Sequence, residues 1–179
     1  MGINPRFTLS SPGIPSYDYL DYVAGAGYRT FYLMADKDSV GFSYFLSTEN
    51  LAMTAGGGTM GGNIDLDFDK TFNNPAILMN SDVFFKTSQT AGGSGSSFVI
   101  NIYHVNVSGT ETLLGTNTSK TVSVGIEATL IKIAITRQGF SVGEKLRVNI
   151  VHSGEAGSML LNDGGGEAFI SVPFVIDLS

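Results

Sequence analysis

The chain of 179 residues has no cysteine, which excludes disulfides and thiolate metal sites together and leaves stability to burial and strand pairing. Charged residues make up only 15% against 42% hydrophobic, so this is not a highly charged disordered chain, and its surface must be built mainly of Ser, Thr, Asn and Gly. Such a surface suits a protein that packs against others. The net charge of −6 argues against nucleic acid as the principal partner, because phosphate binding needs clustered Lys and Arg. No apolar run approaches the roughly 20 residues that span a bilayer. Met1 to Pro15 also lacks the basic start and continuous apolar stretch of a secretory signal, so a soluble chain with no membrane partner is expected.

Imidazoles are scarce as well. His104 and His152 are the only two, far apart in sequence, and no Gly-x-Ser-x-Gly elbow is present. Neither a zinc site nor a Ser-His-Asp triad has a local pattern to rest on, so the expectation is no catalytic residue, no metal and no cofactor.

What is present is period-two alternation. Ile131, Ile133 and Ile135 share one side of a segment, and Leu146, Val148 and Ile150 alternate with Lys145, Arg147 and Asn149. Side chains of an extended strand point to opposite faces in turn, so each segment offers one face to a core and one to water. Strands are expected at Tyr28 to Ala35, Val40 to Ser47, Asn63 to Asp69, Ala76 to Thr87 with a bulge or break at Asn80 to Asp82, Phe98 to Val107, and Thr112 to Thr116. Others follow at Lys120 to Val124, Ala128 to Thr136, Lys145 to His152 and Phe169 to Leu178, with a loop from Ala91 to Ser97. Strands at this spacing with turn residues between them predict an all-β fold, an antiparallel β-sandwich of jelly-roll type. The expected core includes Phe98, Ile100, Ile102, Ile133, Leu146, Val148 and Ile150. Residues 28–179 are expected to form one sandwich domain. Residues 1–27 are read as an arm extended by Pro5, Pro12 and Pro15, followed over Tyr17 to Ala24 by either a short helix capped by Ser16 or an extended aromatic segment.

Several groups invite a functional reading. Asp65, Asp67 and Asp69 have the spacing of the first ligands of a calcium loop, yet Lys70 stands where that loop needs Gly and Ala76 where it needs Glu. A solvated acidic strand face explains them better. The Gly-rich stretches Gly56 to Gly62 and Gly92 to Gly95 lack phosphate-loop endings and read as loops or turns, and Asn162 to Glu167, whose two carboxylates could hold a cation in a lectin-like loop, is sufficiently explained as a connection. His104, in phase with Phe98, Ile100 and Ile102, is expected at the core or its rim. Lys132, Lys145 and Arg147 would share an outward basic patch if their two strands formed a hairpin; guarding a strand edge is the plainer reading. Tyr17, Tyr19, Tyr22, Tyr28, Phe31, Tyr32, Phe42, Tyr44 and Phe45 cluster in one stretch, with core and interface both open. In the arm, Ile3, Phe7, Leu9 and Ile14 are costly to leave in water, so the arm is expected to be covered, either by a neighbouring subunit or by its own sandwich.

The stretches FVINIYHVNVSGTETLLGTNTSK (98–120) and LIKIAITRQGFSVGEKLRVNIV (130–151) resemble β-sandwich accessory proteins of tailed-phage virions, such as capsid decoration or cement proteins. The shared pattern is a strand, a polar turn, a short Thr-Leu-Leu strand, a Thr-rich connection, and a strand leading through a Gly-Glu-Lys turn into a basic-apolar strand. The resemblance implies a non-enzymatic virion component, often trimeric, that contacts the major capsid protein or other virion subunits and has no common catalytic residues. A carbohydrate-binding module, with a glycan as ligand, is the alternative.

Overall fold

Wherever alternate residues can be buried the chain extends, and the computed structural model is all-β. It describes residues 26–37, 42–52, 59–61, 63–152, 157–162, 165 and 167–176. Its strands are β1 (Ala26–Lys37), β2 (Phe42–Ser47), β3 (Thr59–Gly61), β4 (Ile64–Thr71), β5 (Ala76–Leu78), β6 (Ser81–Ser96), β7 (Val99–Val105), β8 (Glu111–Thr118), β9 (Val122–Ile135), β10 (Gln138–Phe140), β11 (Lys145–His152), β12 (Gly157–Leu160) and β13 (Phe169–Ile176). They form one sheet in the order β3-β12-β6-β13-β1-β2-β4-β11-β7-β8, with β9 on the other edge of β6 and β5 joining β10 to β13. Every ladder is antiparallel except a single parallel bridge, Phe45 to Asp69, between β2 and β4.

The sheet wraps until its two ends meet. No ladder joins β8 to β9, but Thr136 N–H donates to Leu114 O at 3.3 Å and Asn117 Nδ2 donates to Lys132 O at 2.7 Å. The result is a mixed sheet nearly closed into a barrel, with its core inside the wrap. On one side the cross-strand rows Phe68–Val148–Ile102 and Leu66–Ile150–Ile100 point inward. On the other, Val83 and Phe85 of β6 face inward beside Ile133 and Ile131 of β9. All seven expected core residues are buried, as is the Ile131, Ile133 and Ile135 series.

Four expectations are corrected. Lys120 to Val124 and Ala128 to Thr136 belong to one strand, β9, because Gly125 takes a φ of 81° and bends the chain without ending it. Ala91 to Ser96 is not a loop but the end of β6, whose backbone pairs with β9 through a register shift between Gly92 and Ser96. The strands holding Lys132 and Arg147 do not form a hairpin. The 16-residue β6 is matched by the 14-residue β9, while β11 is buried between β4 and β7. Finally the stretch Gly56 to Gly62, read as a loop or turn, holds the strand β3, which like β10 and β12 is too short to show alternation. The expected interruption near Asn80 is present between β5 and β6. The arm, the short helix and their Ile3, Phe7, Leu9, Ile14, Tyr17, Tyr19 and Tyr22 lie outside the described residues, although Ala26 and Gly27 already belong to β1.

Candidate functional site: two unlike outward faces

Leu66 and Phe68 point into the core, so Asp65, Asp67 and Asp69 of β4 must point out. The same alternation turns Lys145, Arg147 and Asn149 of β11 outward, and the register sets Arg147 beside Asp69 and Asn149 beside Asp67. Arg147 grips Asp69 with two parallel bonds, Nε to Oδ1 at 2.7 Å and Nη2 to Oδ2 at 2.8 Å. Its Nη1 reaches Asp67 at 2.8 Å and Glu111 of β8 at 2.6 Å, and Lys145 adds a 3.1 Å bond to Asp69. Asn149 Nδ2 donates to Asp65 at 2.7 Å and to Asp67 at 2.8 Å, while its oxygen accepts from Asn101 of β7 at 3.0 Å. Asn101 in turn accepts from Thr116 of β8 at 2.6 Å. The Asp series is therefore one wall of a network that crosses four strands, rather than a merely solvated face.

The basic patch that a hairpin would have made does not form. Lys145 and Arg147 are consumed by this network, and Lys132, on β9, is paired with Asp82 of β6 at 2.9 Å. Burial pushes the Asp69 carboxyl up, but hydrogen bonds from Arg147 and Lys145 and their charges outweigh it and hold its pKa below the usual value. The reciprocal bond to Asp69 outweighs desolvation at Arg147 and pushes that pKa further up. Because the Asp69 pKa is depressed by folding, its stabilisation is full above the unfolded value near 4 and is lost as pH falls through the folded value. Arg147→Met is expected to cost about 2 kcal/mol, between exposed and buried ion pairs, which is about 4–8 °C in Tm for a domain of this size. Its Tm should also fall less steeply than that of the parent on acidification below pH 4; an unchanged acid limb would show that Asp69 does not draw on Arg147.

A second outward face sets aromatic side chains among polar ones. Tyr32 of β1, Phe169 of β13, Lys86 of β6 and Leu130 of β9 stand in one cross-strand row, and Thr30, Ser171, Phe84 and Lys132 in the next. Tyr32 meets Phe169 edge to face at 6.3 Å, the Lys86 ammonium lies 5.4 Å from the Phe169 ring centre, and Tyr28 tilts against Phe84 at 5.5 Å. Tyr28 is about half exposed, and Ile126 and Leu130 are 69% and 67% exposed. The open question about the aromatics is thus divided by position: Phe31 is buried, Tyr32 and Tyr44 are half-buried, and Tyr28 and Phe45 reach the surface. Where β9 approaches β8, a groove of about 490 Å³ runs between Asn117, Thr118 and Lys120 on one wall and Ala128 to Lys132 on the other.

Both histidines pack against aromatic rings of the core. His104 Nε2 lies 3.0 Å from Glu144 Oε2, at the core rim, with its ring edge-on to Phe140 at 5.0 Å. A backbone bond from Ser141 and the neighbouring His104 hold Glu144 below the usual carboxylate pKa. His152 is buried against Phe98 at 4.7 Å. In the last Gly-rich stretch Asn162 is buried and donates to Met34 Sδ and to Leu51 O, and the Glu167 carboxyl occupies the space beside Gly165. Among the described residues no three His, Asp or Glu side chains converge as a metal site.

No protein-family model matches this sequence, and no curated protein matches it. Solved structures do match its fold. A CocE/NonD family hydrolase from Staphylococcus aureus aligns with a TM-score of 0.66 and 13% identity over 84% of this chain and 37% of its own. An aminopeptidase from a marine sediment archaeon of the Thaumarchaeota gives 0.67 and 11% over 84% of this chain and 37% of its own. An α-amino acid ester hydrolase gives 0.66 and 12% over 92% of this chain and 38% of its own. The chain spans little more than a third of these proteins, and at such identity the likeness is one of all-β fold, to a part of each hydrolase.

Proposed function

We propose that the protein is a non-enzymatic structural subunit of a phage virion, a capsid decoration or cement protein built as an antiparallel jelly-roll-type sandwich. The observation that carries this reading is the asymmetry of the outward surface. On one side the described charges are bound to one another across four strands, which makes a stiff wall; on the other, Tyr28, Tyr32, Phe84, Phe169 and Leu130 form an aromatic face with Lys86 and Lys132 in the same rows. Exposed aromatic residues are enriched in protein contact surfaces. The antiparallel ladders and the inward rows of β4-β11-β7 facing those of β6-β9 support the two-layer architecture. The partners are the major capsid protein or other virion subunits.

The test is co-purification with particles. The protein should band with phage particles at fixed stoichiometry, and a Tyr28→Ala, Phe84→Ser double variant should lower occupancy on the order of tenfold or more, since truncated aromatic anchors cost about 2 kcal/mol each. Protein that stays free of particles while being retained on immobilised glycans through the same aromatics would replace this reading with a carbohydrate-binding one.

A further inference from the structure

The open edge of β9 supports an inference that stands independently of the virion reading. In an antiparallel ladder the backbone N–H and C=O of alternate residues point to opposite edges. On β9 the odd-numbered residues face β6. The even-numbered ones face the seam: Lys132 O accepts from Asn117, Ala134 O lies against Gly115, and Thr136 N–H donates to Leu114 O. Those contacts use the edge from Lys132 onward, and at the other end stands Gly125, with φ 81°. Between them the N–H and C=O groups of Ile126, Ala128 and Leu130 have no ladder partner on the seam side among the described residues, and Ala128 and Leu130 line the groove. A bare strand edge is a template for another strand, and proteins ordinarily blunt it with charge or proline. Here the residues that stand beside it are Ile126 and Leu130, two-thirds exposed, flanking Ala128.

We propose that this edge pairs with the same edge of a second copy, antiparallel, about a two-fold axis at Ala128. The segment Ile126-Glu127-Ala128-Thr129-Leu130 is self-complementary for this operation. Ala128 meets its own counterpart at the axis, where a small side chain is needed, and Ile126 lies beside the partner's Leu130 on the same face. Glu127 lies opposite the partner's Thr129, so no like charges face each other. The nearby charges are already matched within each copy, Glu127 with Lys120 and Lys132 with Asp82. The edge groups are also in the right phase: residues 126, 128 and 130 all present N–H and C=O outward, so the pairing closes three hydrogen-bonded residue pairs and continues the row Tyr32–Phe169–Lys86–Leu130 into the second copy. An isologous contact of this kind closes on itself and stops at two copies.

The absence of native cysteine makes the test direct. In a hydrogen-bonded antiparallel pair facing Cα atoms are about 5.5 Å apart, so Ala128→Cys should be joined efficiently to its counterpart by a short thiol-to-thiol linker. Leu130→Cys places the two thiols four residues out of register, about 13 Å apart, and should not be joined. Sedimentation of the full chain over a concentration series should show a dimer, and Ile126→Lys with Leu130→Lys should make it monomeric while keeping a cooperative melt whose midpoint no longer depends on protein concentration. A parent that stays monomeric, an oligomer indifferent to the lysines, or linkage at Leu130 in place of Ala128 would each overturn the proposal.

Discussion

Val148→Asp is expected to abolish the fold. Val148 is fully buried in the middle of β11, with Phe68 of β4 on one side and Ile102 of β7 on the other, both equally inaccessible to water. Asp is close to Val in size, so the substitution leaves no cavity, and its effect is the burial of a carboxyl group with no partner. The intact acid-base network is on the outer face of the same strand and cannot be reached through the sheet. Burying even the neutral acid unpaired costs several kcal/mol and the ionised form more, against a total stability of about 5–15 kcal/mol. The strand is central, so its failure also separates β4 from β7. The expected readout is insoluble protein, or a circular dichroism spectrum at neutral pH without a cooperative melt, whereas Val148→Ala should still fold with a loss of about 1–3 kcal/mol. A cooperative melt within a few degrees of the parent would place Val148 outside the core.

How much of this was legible in the sequence depends on which physical signal each feature left. The inward series of β9 and β11 was legible because a strand with one dry and one wet face writes that difference at every second position. Pairing was not, since alternation tells which way a side chain points and nothing about which strand lies beside it. β9 and β11 are near neighbours in the chain, and the hairpin expected between them fails because each already has longer or more apolar neighbours to satisfy: β6 for β9, and β4 with β7 for β11.

The two outward faces divide in the same way. That Asp65, Asp67 and Asp69 point outward followed from their spacing, but their partners were invisible: Arg147 stands 78 residues from Asp69, and Asn149 stands 84 from Asp65. The conditional grouping of Lys132 with Lys145 and Arg147 fails for this reason, because it read like charges together when each had an acidic partner brought in by register. The aromatic face was missed because Phe84 sits in the run Val83-Phe84-Phe85 and Phe169 beside Ile170, where no polar phase marks the outward residue. Only the ladders show that Phe84 and Phe169 fall opposite the inward set.

The seam between β8 and β9 is the most sensitive point of the wrap, and Gly115→Ala should reveal it. The ladder between β7 and β8 shifts register between Ile102 and Tyr103, so that Gly115 faces Ile102 and Leu113 faces Tyr103, which leaves Leu114 as the extra, buried residue. This bulge presses the Gly115 backbone onto β9. A Cβ there would run into the Ala134 carbonyl oxygen and come to 3.0 Å from Ile135 Cγ2 and 3.2 Å from Ile133 Cγ2. The obstacle is backbone, which cannot rotate away as a side chain could, so β8 has to move out. That movement breaks the Thr136-to-Leu114 and Asn117-to-Lys132 bonds, which hold the two ends of the sheet together, and lets water reach Leu114 and Ile133. Overpacking of this kind costs about 1–3 kcal/mol, and the loss of two seam bonds puts the expected effect near 3, or about 6–12 °C in Tm. Hydrogen exchange separates this from a general weakening: the Thr136 amide should exchange much faster in the variant while amides of the β4-β11 ladder keep their relative protection. If the variant melts like the parent and the Thr136 amide stays protected, the two ends of the sheet do not touch at Gly115, and the near-closed wrap is wrong at that point.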